Sequence, residues 1–203
     1  MISIELMFYL AVLLFGGIGA IRGWQKEVIA MAGLIGSIAF LHQFGATLAN
    51  YGSPLVSFLS GTSGDPTQRE IFWVQFLFHI TIAFFSYQII GSIADRAPGR
   101  RGEQFRSGFQ NAFIGFVIGV INGFFLFGTL WAFLEYQIVN NGEKMYVRYD
   151  QNVNFFAPYI DRTVNVATIF NDVVNYLPLN LFTPGVWLLV FFFSFFIVII
   201  ALV

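Results

Sequence analysis

The sequence has no cysteine, which excludes disulfides, thiolate nucleophiles and iron–sulfur ligation. It has only two histidines, so a His-rich metal site cannot be assembled. Charge is scarce: 10% of the 203 residues are charged, where a soluble domain carries about 25%. Too few polar side chains are left to cover a soluble surface. A soluble enzyme, a nucleic-acid binder and a disordered chain are therefore excluded. The formal net charge of −1 provides no global field to steer a charged partner. No nucleophile–base pair, paired carboxylates, phosphate loop or metal constellation occurs, so the chain reads as non-enzymatic. Asp and Glu are missing from the centres of the apolar stretches, which argues against an ion-coupled transporter.

What the sequence has instead is apolar bulk, 57% hydrophobic with 27 phenylalanines. A helix needs roughly 20 apolar residues to cross a hydrocarbon core of about 30 Å. Stretches of that kind run over Ile4–Ile21, Val28–Ala49, Glu70–Ala94, Phe109–Leu134 and Pro184–Val203. The first is read as a retained membrane helix, because Arg22 and Lys26 follow it instead of preceding it as in a signal peptide. Six of the ten basic residues lie in two short loops: Arg22 and Lys26 in one, Arg96, Arg100, Arg101 and Arg106 in the other. The positive-inside rule makes these loops cytoplasmic, with the N-terminus outside and the C-terminus inside.

Two regions read as something other than spans. Ser53–Leu59 is a short apolar piece expected to dip into the interface. Within 135–183, Ile160–Leu177 has helical periodicity, with Val166, Ile169, Phe170, Val173 and Leu177 on one face. This is expected to be an interfacial amphipathic helix. The fold expected is an all-α polytopic membrane bundle. It divides into a four-span core (1–134), an extracytoplasmic segment (135–183) and a fifth transmembrane helix (184–203).

Two blocks of sequence carry a resemblance. Gly19-Ala20-Ile21-Arg22-Gly23-Trp24-Gln25-Lys26-Glu27-Val28 is followed by Gly33 and Gly36. Ile90-Gly91-Ser92-Ile93-Ala94 leads into a basic loop, after which Gly115, Gly119 and Gly123 recur at four-residue spacing. This order resembles the colicin V production protein family over roughly residues 1–134. The resemblance implies a small bacterial inner-membrane protein, usually of four predicted spans, linked to toxin production or export and to envelope homeostasis. It implies no established chemistry. The 135–183 segment and the fifth span depart from that plan.

The candidate site residues follow from residue type and position. Arg22, Lys26 and Glu27, with Arg96, Arg100, Arg101 and Arg106, are expected to be cytoplasmic anchors, Glu27 also suiting the positive end of a helix dipole. Gly19, Gly23, Gly33, Gly36, Gly115, Gly119 and Gly123 are expected to pack helices closely, as small residues do in lipid. Gln75, His79, Ser86 and Asn122 form an intramembrane polar set. The expectation is a hydrogen bond from His79 to Gln75 or Asn122; the alternatives are a proton relay and an axial ligand to a tetrapyrrole. No cofactor is predicted outright, with pigment, quinone or bound lipid as the candidates. The expected partners are the bilayer and other membrane subunits. Tyr136, Tyr146, Tyr149, Tyr159 and Tyr176 are expected to form an external contact surface. The function expected is support of assembly, secretion or stability of a larger membrane system. An accessory subunit of an energy-transducing complex, or a small channel or transporter, stands as the alternative.

Overall fold

The computed structural model describes residues 4–60, 68–94, 108–138, 146–149 and 173–202. Four long apolar helices dominate: α1 (Ile4–Arg22), α2 (Trp24–Ser60), α3 (Gln68–Ala94) and α4 (Gly108–Glu135). A hairpin follows, β1 (Tyr136–Ile138) paired antiparallel with β2 (Tyr146–Arg148). A helical turn at 173–175 leads to the short α5 (Pro178–Leu181) and then to α6 (Pro184–Leu202). The basic residues 96, 100, 101 and 106, Tyr159, and most of the expected amphipathic helix lie outside the described residues.

All four of the long helices are apolar enough to cross a bilayer. The distribution of side chains says the same. Leu10, Leu13, Phe84, Phe85 and Phe113 point outward, while Glu27, Gln75, His79, Asn122 and Thr129 are buried. In water such an inside-out arrangement would expose apolar surface and bury polar groups; in lipid each class meets a matching environment. The chain is a multi-pass membrane protein.

The helices are linked antiparallel. α1 runs along α4, with Gly19 on Gly115, Phe15 on Gly119 and Val12 on Gly123. α2 lies between α3, α4 and α6. Its residue Gly33 meets Ser86 of α3, and Gly36 meets Phe191 of α6. α1 and α2 are joined through the single non-helical residue Gly23, at φ +83°. That left-handed conformation ends a helix cheaply only at glycine. The Gly23 N–H still reaches the Gly19 carbonyl at 2.9 Å.

Two expectations need correction. The 53–59 piece is not separate, because α2 continues through Pro54 to Ser60. Its 37 residues would span about 55 Å, too long for one crossing. The contacts show where it turns. Ser37 touches His79, whereas Gly52, fifteen residues later, touches Val74, only five residues from His79. Helices lying side by side advance equally, so the last part of α2 veers across α3. Ser53 and Ser57 face inward there, and Tyr51, Leu55 and Phe58 outward.

The all-α bundle expected from the sequence stands, and the short hairpin is a small addition to it. Three-residue strands are too short to show alternation, and Tyr149 N–H closes the hairpin on the Glu135 carbonyl at 2.8 Å. The second correction concerns the tyrosines. Tyr136, Tyr146 and Tyr149 are buried, and only Tyr176 of the described set is exposed. The Tyr136 hydroxyl donates to the Val174 carbonyl at 2.8 Å. Burial pushes the Tyr146 phenol well above its ordinary range, so it stays neutral. The segment after α4 is thus a cap whose residues Val174, Leu177, Leu179 and Trp187 share one core with Ile38, Leu41 and Phe133.

Candidate functional site

The sequence R-G-x-x-x-E explains the most polar point of the interior. Gly23 reverses the chain, so Arg22 at the end of α1 and Glu27 in the first turn of α2 face each other. Their ion pair is 3.0 Å long. The Glu27 carboxylate also accepts from the Tyr87 hydroxyl of α3 at 3.1 Å and from Asn122 Nδ2 of α4 at 2.7 Å. Arg22 donates to the Tyr87 carbonyl at 3.0 Å and lies over the Tyr87 ring. Four helices therefore meet on one carboxylate. The Glu27 side chain is fully buried, whereas that of Arg22 is 21% exposed.

Glu27 thus lies in the first turn of α2, as its place in the sequence suggested, and the structure adds its burial and its partners from α3 and α4. An exposed carboxylate would gain little from an exposed arginine. Glu27 instead satisfies its charge with one cation and two hydrogen-bond donors, the condition under which a charge is tolerated away from water. Lys26 is half-buried on the same turn.

The polar set forms a seam above this point. His79 is fully buried and its Nδ1 lies 2.8 Å from Ser37 Oγ of α2. The expected bond from His79 to Gln75 or Asn122 does not form, because Asn122 is held by Glu27 and Ser37 is closer. His79 Nε2, Gln75 Nε2, Asn122 Oδ1 and Thr129 Oγ1 are buried without a hydrogen-bond partner. Ser86 turns back on its own helix and donates to the Ile82 carbonyl at 2.7 Å. The His79 ring is enclosed by Ser37, the edge of Phe133 and the α4 backbone at Phe125–Leu126. Ser37, Tyr87 and Thr129 were not singled out in the sequence. The spacing of Gly33 and Ser37, one turn apart on the face towards α3, was the available signal.

The glycines divide among three contacts. Gly19, Gly115, Gly119 and Gly123 line the α1–α4 contact, Gly33 faces α3, and Gly36 faces α6. A Cβ on Gly119 would fall against the Phe15 carbonyl oxygen and 3.0 Å from the Gly19 Cα. Backbone cannot yield as a side chain tip can, so Gly119→Leu is expected to displace α1 and lower the yield of monodisperse protein in detergent. Gly17→Leu, on α1 with nothing within 4 Å, is expected to behave as wild type. Equal yields for the two would show that the α1–α4 contact tolerates bulk.

The sequence model of the colicin V production protein family matches residues 4–165. The chain belongs to that family. The match runs past Leu134 and takes in the residues of the hairpin, while α6 lies beyond it. It includes every residue of the Arg22–Glu27–Tyr87–Asn122 cluster and of the polar seam. No curated protein and no solved structure matches the chain.

Proposed function

We propose that this colicin V production family protein is a non-enzymatic component of the bacterial inner membrane that supports assembly, secretion or stability of a larger membrane system. The observation that carries this reading is the pair of peripheral helices. α1 meets the bundle through its glycine face and leaves Leu6, Leu10, Leu13 and Leu14 exposed; α6 leaves Phe192, Phe193, Phe196 and Ile200 exposed. Each is an apolar helix face ready for lipid or for a neighbouring subunit. α6 serves as a fifth span. It starts beside Gln43, whose Nε2 lies 3.5 Å from the Pro184 carbonyl, and runs back along α2 past Gly36. Its 19 residues cover about 28 Å, close to the hydrocarbon thickness.

Photo-crosslinking residues placed at Leu13 and Phe193 in native membranes test the role. Discrete protein adducts are expected at one or both positions; adducts to lipid alone would reject a subunit role. The orientation has its own test. A cysteine at Gly142 is expected to react with a membrane-impermeant thiol reagent on intact cells, and one at Gly102 is not. The reverse pattern would invert the topology.

A further inference from the structure

We propose that the last part of α2, from Phe44 onward, is a lipid-binding arm. It lies in the plane of the bilayer and sets Tyr51, Leu55 and Phe58 among the lipids of the leaflet opposite the Arg22–Glu27 end. The length of α2 asks for such a course. About 20 residues from Trp24 exhaust a hydrocarbon core of about 30 Å. That brings the helix to Phe44, and the stretch from there to Ser60 is more than one crossing uses.

The contacts with α3 give its direction. From Ser37 on His79 to Gly52 on Val74, fifteen residues of α2 pass five of α3. At that ratio the rest of α2 climbs only about 4 Å along α3 beyond Gly52. It ends level with the first turns of α3. There Trp73 reaches the surface one turn from exposed Arg69. Tryptophan beside charge at the end of a span marks the membrane–water boundary.

The two faces of the arm are sorted as that boundary requires. Ala49, Ser53 and Ser57 are buried against the bundle, and Ser57 Oγ donates to the Ser53 carbonyl at 3.0 Å. On the other face Tyr51, Leu55 and Phe58, at spacings of four and three, are 82%, 62% and 81% exposed. Two turns before Tyr51, exposed Phe44 packs on Phe40, which stacks on Phe78 of α3. The aromatic face is thus continuous with the surface that the spans turn to lipid. A contiguous apolar face needs cover, and this continuity makes lipid the cover.

Charge decides what property of the lipid is read. No Asp, Glu, Lys or Arg occurs between Glu27 and Asp65. The arm cannot attract an anionic head group, so inserted apolar area alone holds it in the leaflet. It responds to how tightly the lipids pack and not to their charge.

The chain has no cysteine, so single cysteines can be placed at Phe40, Tyr51, Leu55 and Phe58 of the full chain and labelled with a nitroxide. The purified proteins are reconstituted in liposomes of phosphatidylethanolamine and phosphatidylglycerol. Relative accessibility to oxygen and to an aqueous nickel chelate gives the depth of each label. Labels at 51, 55 and 58 are expected at one shallow depth, about 5–10 Å below the head groups, with the label at 40 deeper. Doubling the phosphatidylglycerol content is expected to leave these depths unchanged. Tightly packed saturated chains are expected to raise nickel accessibility at 51, 55 and 58 severalfold over unsaturated ones. A depth difference of about 10 Å between 51 and 58, the step of a helix along the bilayer normal, overturns the proposal. So does full exposure of all three labels to nickel, or equal accessibility in saturated and unsaturated lipid. Spin–spin broadening that disappears on dilution with unlabelled protein also overturns it, since a second copy would then cover the face. Any two of the three positions give the slope, so the loss of one variant leaves the outcome readable.

Discussion

Glu27→Ala is expected to cost the bundle about 3 kcal/mol or more, the scale for removing one partner of a buried ion pair. The reason is the convergence at this carboxylate. Its loss removes the ion-pair partner of Arg22 and the acceptor of both Tyr87 and Asn122. Arg22 and the half-buried Tyr87 keep some access to the surroundings, and Asn122 Nδ2 keeps the Glu27 backbone carbonyl at 2.9 Å, so the unpaired arginine carries most of the penalty. Thermal unfolding in mild detergent reads the effect. Replacing both charges, as Arg22→Met with Glu27→Met, is expected to recover part of the loss, because the unpaired cation disappears with the carboxylate. Wild-type stability for Glu27→Ala would return this residue to the status of a surface anchor.

The long helices were legible because lipid demands long apolar runs, and such runs are visible without tertiary knowledge. α1, α3, α4 and α6 lie within a residue or two of the stretches read from sequence. The polar interior was legible only as residue types. Gln75, His79, Ser86 and Asn122 stood out as polar groups in apolar surroundings, but partner choice depends on helix neighbours. The neighbour of His79 is set by the small residues Gly33 and Ser37 of α2, and Glu27 is buried only because Gly23 folds the chain back at that point. The Arg22–Gly23–Glu27 motif was seen, and its topological meaning was read, but its depth was hidden. The hairpin and cap were illegible for another reason. Three-residue strands carry no periodicity, and polar loop sequence does not advertise that its tyrosines turn inward.

Truncation after Leu134 is expected to give an aggregating or poorly inserted fragment instead of a stable four-helix core. The four-span core read from the sequence contains the glycine face, and α6 is apolar all round; the packing of the tail argues that the two fold together. Trp187 of α6 is fully buried, stacks near the His42 ring and packs against Phe125 and Phe182. Phe191 fills the space over Gly36, and Leu177 and Leu179 of the cap are at most 1% exposed. Lipid could replace the apolar part of these contacts, because acyl chains are as apolar as phenylalanine. It could not replace the rest. Removing the tail takes away the Pro184 carbonyl beside Gln43, and it uncovers the His42 ring that Tyr146 and Trp187 cover. Full-length Trp187→Ala separates packing from mere length. It is expected to lose about 3 kcal/mol, the scale for emptying a buried aromatic site, while still inserting. A monodisperse, helical 1–134 fragment together with an unperturbed Trp187→Ala would show that α6 is an appendage held by partners and that the four-helix core stands alone.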